Sequence, residues 1–316
     1  MDWYHILLII MLSLIVLLLI VLTISYITYK MAFYHNNKKE DPYDLQVDVN
    51  EKEKEFMFSL IDEFMKIEYE QINIVSFDGT MLSARYYHID DNAPIQIQCH
   101  GYKGMAFRDM CGGNKLAREA KFNTLVIDQR AHGQSKGHTI TFGINESKDC
   151  LSWINYINDR FKNKNDIVLV GVSMGASTVL LTSQYELPSN VKGIIADCPF
   201  SSPKDIIKKV IKDMKLPVKL IYPFLYLGAK IFGRFDMNDG NIAKVIKNCK
   251  IPVLLIHGTN DELVPCEMSR LIYENNKEYV DIFTVEKAKH GLSFIVDINK
   301  YIEVVTNFIN KLNLNK

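Results

Sequence analysis

The pentapeptide Gly171-Val-Ser-Met-Gly175 constrains the fold of this 316-residue chain more than any other stretch. An apolar, β-branched run at residues 166–170 precedes it and a helix-compatible run at 176–181 follows, so the chain must pass from strand to helix within a few residues. A turn that tight leaves no room for a Cβ on either side of the serine, and glycine stands at both positions. Strand, Gly-x-Ser-x-Gly turn and helix together read as a nucleophile elbow, which lifts the serine hydroxyl above the end of a sheet. The pattern makes Ser173 a candidate nucleophile if a base, an orienting acid and oxyanion donors stand where other strands end.

Around the pentapeptide the chain alternates. Residues 71–77 and 81–88 read as strands joined at Asp78-Gly79, a strong hairpin signal. Short β-rich runs follow at 94–98, 123–128, 167–170, 193–196, 252–257 and 279–285, most of them separated by helix-compatible segments. A hairpin followed by this rhythm predicts a mainly parallel eight-stranded sheet with helices on both faces. One interval breaks the rhythm: between Phe200 and Lys250 lies an insert, amphipathic over 205–214 and rich in aromatic and aliphatic residues over 220–232. It reads either as a lid at 201–250 over the strand ends or as an extra pair of packing helices.

The N-terminus is a different solvent problem. Residues 6–27 contain no charge, proline or glycine. Their roughly 22 residues at about 1.5 Å each reach about 33 Å, enough to cross a bilayer's hydrocarbon core. No lysine or arginine precedes the run and no small-residue cleavage site follows it, which argues for a retained transmembrane helix over a signal peptide. Trp3, Tyr4, Tyr26 and Tyr29 are expected at the two interfaces. Lys30, Lys38 and Lys39 follow the span, and the positive-inside bias places the C-terminal bulk in the cytoplasm. The expected organisation is an anchor at 1–30, a juxtamembrane linker and amphipathic helix at 31–70, and the α/β domain at 71–316. Met57, Leu60, Ile61, Phe64 and Ile67 fall at helical spacing, and because the opposite face is not basic the helix is expected to pack on the domain rather than on lipid.

Lysine plus arginine and aspartate plus glutamate both number 37, so no net charge favours nucleic acid as a partner. Six cysteines are scattered without a C-x-x-C pair, against both a zinc site and a compact disulfide framework. No H-E-x-x-H, P-loop or dinucleotide fingerprint occurs, so neither metal nor cofactor is expected.

Candidates for the rest of the chemistry stand where strands are expected to end. His290, in Ala-Lys-His-Gly291, follows the last strand and is the candidate base. Asp261, in His257-Gly-Thr-Asn-Asp261, follows the strand at 252–257 and is the candidate acid; it also suits a turn beside Gly258. Asp197 ends the strand at 193–196 and competes for the same role, as does Glu262. The residue after the nucleophile supplies one oxyanion donor, the Met174 N–H, and the loop His100-Gly-Tyr-Lys-Gly104 supplies the other, the Tyr102 N–H.

Taken together, His100-Gly-Tyr, Asp128-Gln-Arg-Ala-His-Gly-Gln-Ser135, Gly171-Val-Ser-Met-Gly175, Ala196-Asp-Cys-Pro-Phe200, His257-Gly-Thr-Asn-Asp261 and Lys289-His-Gly291 resemble the α/β-hydrolase superfamily. More narrowly, they look like bacterial membrane-anchored serine hydrolases related to the prolyl oligopeptidase and acyltransferase-like esterase branches. The similarity covers residues 71–312. It implies an α/β-hydrolase fold, Ser173 as nucleophile, Asp261 as orienting acid, His290 as general base, and structural roles for Asp128, Arg130 and His132. The expected reaction is hydrolysis of a carboxylic ester or related acyl bond in a small-molecule or lipid-like substrate. A peptidase, thioesterase or acyltransferase would use the same triad, and a membrane-anchored scaffold without catalysis is the alternative from another class.

Overall fold

In the computed structural model, which describes residues 2–36, 41–45, 47 and 49–314, the alternating apolar runs form one twisted sheet. Its strands are β1 (Glu70–Val75), β2 (Met81–Tyr87), β3 (Ile95–Cys99), β4 (Asn123–Asp128), β5 (Ile167–Val172), β6 (Val191–Asp197), β7 (Val253–Gly258) and β8 (Val280–Val285). They lie in the order β1-β2-β4-β3-β5-β6-β7-β8. β2 pairs antiparallel with β1 and β4, and every other pairing is parallel. The expected eight-stranded, mainly parallel sheet is therefore present. The hairpin turns at Gly79, whose φ of 83° suits a residue without a side chain.

The helices are α1 (Trp3–Ala32), α2 (Glu51–Met65), α3 (Ala106–Asp109), α4 (Cys111–Glu119), α5 (Ile144–Phe161), α6 (Met174–Thr182), α7 (Pro203–Asp213), α8 (Val218–Gly228), α9 (Ile242–Val245), α10 (Cys266–Glu274), α11 (Ser293–Val296) and α12 (Ile298–Lys311). β3, β4 and β7 are buried along their whole length because helices cover both faces. The period of two is visible in β5: Ile167 and Leu169 join the core beneath α5 and α6, and Val168 and Val170 join the core beneath α2, α4 and α12. All six cysteines are buried and unbridged. α2 starts at a capping box formed by Asn50 and Glu53 and buries Leu60, Ile61 and Phe64, packing against α4.

α1 is one helix long and apolar enough to cross a membrane, with a mean hydropathy of 3.4 over its best window. Its first two thirds are exposed, but the C-terminal third is built into the domain. Ser25 and Tyr29, one turn apart, face α8, and Gly228 lies so close that a Cβ there would stand 2.4 Å from the Ser25 carbonyl oxygen. Tyr29, expected at a bilayer interface, is instead buried, and its hydroxyl meets the Thr139 hydroxyl at 2.7 Å. Phe33 is fully buried in the main core. The helix thus runs through the expected boundary at residue 30, because its i, i+4 face continues as core.

The insert at 201–250 forms α7, α8, a π-helical turn at Ala229–Gly233, α9 and two 3₁₀ turns, at Met237–Gly240 and Ile246–Asn248. α8 packs along α1 and α7. Within α8, Leu225 and Gly228 are buried while Leu220 stays exposed.

Candidate active site

Ser173 sits between β5 and α6 with φ 54° and ψ −116°, a backbone conformation that costs energy for any residue with a side chain. The surroundings hold it there. A Cβ on Gly171 would lie 2.2 Å from the Gly175 carbonyl oxygen, and one on Gly175 would lie 2.0 Å from that of Cys99. The Ser173 N–H donates to the Asp197 carbonyl at 2.8 Å, pinning the turn to the end of β6.

Three sequence-predicted residues meet above the sheet. His290 Nε2 lies 2.9 Å from Ser173 Oγ, and His290 Nδ1 lies 2.7 Å from Asp261 Oδ2. The other carboxylate oxygen of Asp261 accepts from the Leu263 and Val264 N–H groups at 3.0 and 2.7 Å. His257, fully buried on β7, places Nε2 3.2 Å from Asp261 Oδ2 and 2.7 Å from the Val264 carbonyl. A carbonyl only accepts, so that nitrogen carries the proton and Nδ1 faces the Ser269 hydroxyl at 2.7 Å. Burial by itself would raise the Asp261 pKa, but hydrogen bonds from His257 and His290, the charge of His290 and the Val264 N–H outweigh it and bring the carboxyl down to about 2.

The competing acids stand elsewhere. Asp197, buried at the end of β6, accepts from the Tyr301 hydroxyl at 3.1 Å, while its second carboxylate oxygen has no hydrogen-bond partner. Burial dominates there and pushes its pKa up to about 6. Glu262 is exposed, and its backbone carbonyl accepts from Lys209.

The Met174 and Tyr102 N–H groups, the expected oxyanion donors, make no hydrogen bond to another protein atom among the described residues. The loop that carries Tyr102 is braced from several sides. The Gln129 N–H donates to His100 Nε2 at 3.0 Å, so His100 Nδ1 holds the proton that reaches the Gly101 carbonyl. The Gly101 N–H donates to Asp109 at 2.9 Å, Arg108 Nε donates to the same carboxylate at 2.8 Å, and Arg108 also reaches the Asp44 carbonyl. The Tyr102 hydroxyl donates to the Ala32 carbonyl at 2.9 Å, joining this loop to the end of α1.

Sequence reasoning missed Asp109 and Arg108, because a charged pair in a four-residue helix carries no signal until the fold brings it under Gly101. It also missed the walls. A cavity of about 210 Å³ beside Ser173 and His290 takes apolar lining from Leu45, Val47, Met57, Leu263 and Leu292. Leu45 and Val47 come from the segment expected to be a plain linker. Residues 201–250, expected to shape this pocket, contribute nothing to its described lining. Asp128, Arg130 and His132 lie in supporting networks: Asp128 accepts from Arg85 at 2.7 Å and from the Gln134 N–H at 2.9 Å, Arg130 clasps Asp149 with two hydrogen bonds, and His132 bonds the Arg130 carbonyl.

Cys198, Asp261 and His290 bring one ligand-capable atom each within 4.8 Å of one another. As donors they suit hydrogen bonding better than a metal: Asp261 Oδ2 already meets two imidazoles, and burial followed by the nearby carboxylates pushes the Cys198 thiol well up.

Residues 97–227 match the family described as alpha/beta hydrolase fold. The uncharacterized protein YqkD of Bacillus subtilis strain 168 is 24% identical over 305 residues, 96% of this chain and 98% of that protein. The uncharacterized protein YfhR of Escherichia coli K12 is 27% identical over 230 residues, 70% of this chain and 73% of that protein. Among solved structures, the Pyrococcus furiosus esterase Pf2001 superimposes with a TM-score of 0.63 at 25% identity, covering 79% of this chain and 94% of the esterase. The acylaminoacyl peptidase of Pyrococcus horikoshii shares the fold with a TM-score of 0.60 at 20% identity, over 82% of this chain and 44% of the peptidase.

Proposed function

Because the chain is a hydrolase with the α/β-hydrolase fold, we propose that it cleaves a carboxylic ester or related acyl bond through a Ser173–His290–Asp261 triad and a covalent acyl-enzyme. The observation that carries this reading is the unbroken relay of 2.9 Å from Ser173 Oγ to His290 and 2.7 Å from His290 to Asp261. His290 Nε2 takes the hydroxyl proton as Ser173 Oγ bonds to the carbonyl carbon, and the oxygen, now anionic, is met by the Met174 and Tyr102 N–H groups. Collapse expels the leaving group, which His290 protonates. Water then attacks the acyl carbon with His290 as base, releasing the acid and restoring Ser173. Asp261, held ionised by its partners, orients His290 and stabilises the imidazolium.

The apolar wall of Leu45, Val47, Met57, Leu263 and Leu292 supports a small-molecule or lipid-like acyl substrate. α1 serves in this reading as a single membrane span. The cytoplasmic placement of the catalytic domain rests on Lys30 and on Lys38 and Lys39, the latter two outside the described residues. The test is a fluorophosphonate probe combined with a panel of ester, thioester and peptide substrates. Wild type should be labelled, and Ser173→Ala should lose the label and on the order of 10⁶-fold in kcat. Ester hydrolysis surviving in Ser173→Ala would sink the assignment.

A further inference from the structure

The apolar lining of the Ser173 cavity continues into the protein. A second cavity of about 70 Å³ adjoins it at Met57, Val172 and Gly291 and runs inward past Leu60, Met110 and Phe294. A third, of about 260 Å³, adjoins the second at Gly113, Val170 and Ile195 and runs between α4 and α12 past Leu116, Ile302 and Val305. All three follow one face of the sheet, the face to which the period of two in β5 turns Val170 and Val172. Gln96 on β3, which lines the third cavity, pairs with Val168 on β5. Val168 stands five residues before Ser173, about 16 Å of strand at roughly 3.3 Å per residue. A butanoyl group on Ser173 is far too short to follow such a path, whereas a long hydrocarbon chain fills it.

The junction between the second and third cavities lies at a pair of glycines in α4. Glycine is a poor helix former, so each needs a reason. Gly112 has one in packing, since a Cβ there would stand 2.7 Å from the Phe294 ring. Gly113 has no such neighbour: outside its own helix backbone, a Cβ there would meet only the Met110 Cε, at 3.6 Å, among the described residues. What glycine leaves at residue 113 is space at the junction. The polar groups that border the second cavity are turned to one another. Arg108 Nε donates to Asp109 at 2.8 Å and the Tyr301 hydroxyl donates to Asp197 at 3.1 Å, while the unpartnered Asp197 oxygen is buried. The aliphatic side chains are left as the surface that a chain would touch.

We propose that the three cavities form one tunnel that receives the acyl chain of the substrate, so that the preferred substrates are esters of long, unbranched acyl chains running from Ser173 between α4 and α12. The inference rests on the Ser173–His290–Asp261 reading and deepens it. The chain stays bonded to Ser173 after the leaving group has gone, so the inner path holds the chain and the wider mouth bordered by Leu45 and Val47 releases the leaving group. The smallest of the three cavities is the middle one, and it selects against branching. Gly113 sets the passage.

The test is steady-state hydrolysis, by the detergent-solubilised full chain, of p-nitrophenyl butanoate, octanoate and palmitate, which differ only in the acyl chain. Burying a methylene contributes about 4-fold, so kcat/KM of the wild type should rise about 10-fold or more from butanoate to octanoate and should not fall at palmitate. Gly113→Leu fills the inner junction and should lower the octanoate and palmitate values about 10-fold or more relative to butanoate. Ile302→Trp narrows the third cavity alone and should lower palmitate relative to octanoate by a similar factor; lying at a half-buried position of α12, it gives the answer even where the glycine variant does not fold. A wild-type preference for butanoate, or chain-length ratios unchanged in the folded variants, overturns the tunnel. Fluorophosphonate labelling of Ser173 separates the two readings: labelled enzyme without a chain-length response sinks the tunnel alone, whereas absence of labelling sinks the triad and the tunnel with it.

Discussion

Two aspartates end neighbouring strands on the same side of the sheet, Asp197 on β6 and Asp261 just beyond β7, and their chemistry diverges. Both are buried. Asp261 meets two imidazoles and two backbone N–H groups and is pulled down to about 2. Asp197 has one tyrosine hydroxyl and an oxygen without a partner, and burial drives it up to about 6. The difference teaches that burial alone does not decide the charge of a strand-end carboxylate; the donors gathered around it, from its own loop and from His290, do. It also separates two roles: Asp261 offers its side chain to His290, whereas Asp197 offers its backbone carbonyl to the Ser173 N–H.

The sharpest way to break this comparison is to replace each acid in turn. Asp261→Asn keeps the shape but removes the charge that orients the imidazole, and kcat should fall about 10⁴-fold. Asp197→Asn should leave kcat within a few-fold of wild type, because its backbone carbonyl is unchanged. Equal losses in steady-state ester hydrolysis would show that the acid role is misassigned.

The second test reads stability against pH. Asp197 holds its proton more tightly when folded, with a pKa of about 6 against an ordinary 3.8, so its ionisation makes the fold less stable as pH rises from 3.8 through 6. At 1.36 kcal/mol per unit the cost reaches about 3 kcal/mol above pH 6, an upper bound. Asp261 has the opposite sign: its contribution is complete above 3.8 and is lost as pH falls through about 2. Denaturant midpoints of detergent-solubilised Asp197→Asn should therefore rise relative to wild type between pH 4 and 7. A constant gap across that window would mean that Asp197 is not held neutral by burial.

The smallest effect concerns Tyr301. Tyr301→Phe removes the hydroxyl that Asp197 accepts from and should cost about 1 kcal/mol of stability, with kcat unchanged. A larger loss of activity than of stability would tie Tyr301 to the reaction rather than to Asp197.

How much of this was legible beforehand follows the range of the forces involved. The strand–turn–helix at Ser173 was readable because its determinants, Gly171 and Gly175, act through sterics within a few residues. The eight strands were readable from short-range apolar runs and turn residues. The cavity wall was not, since Leu45 and Val47 sit in a polar stretch with no periodicity and reach Ser173 only through the path of the chain after α1. The burial of Tyr29 is illegible for a related reason: a tyrosine suits a bilayer interface and a protein core equally well, and only the approach of α8 to the Ser25–Tyr29 face places it in the core.

What the sequence determined by itself, then, is the elbow, the strand–helix order, the apolar N-terminal helix and the placement of Ser173, Asp261 and His290 beyond β5, β7 and β8, all set by local sterics and hydrophobic periodicity. What only the tertiary structure decided is which aspartate faces His290, that the Met174 and Tyr102 N–H groups have no protein partner among the described residues, and where the exposed part of α1 ends and its buried part begins. Those choices depend on residues far apart in the chain, such as His290 with Asp261, Tyr301 with Asp197 and Gly228 with Ser25, whose distances are fixed by packing.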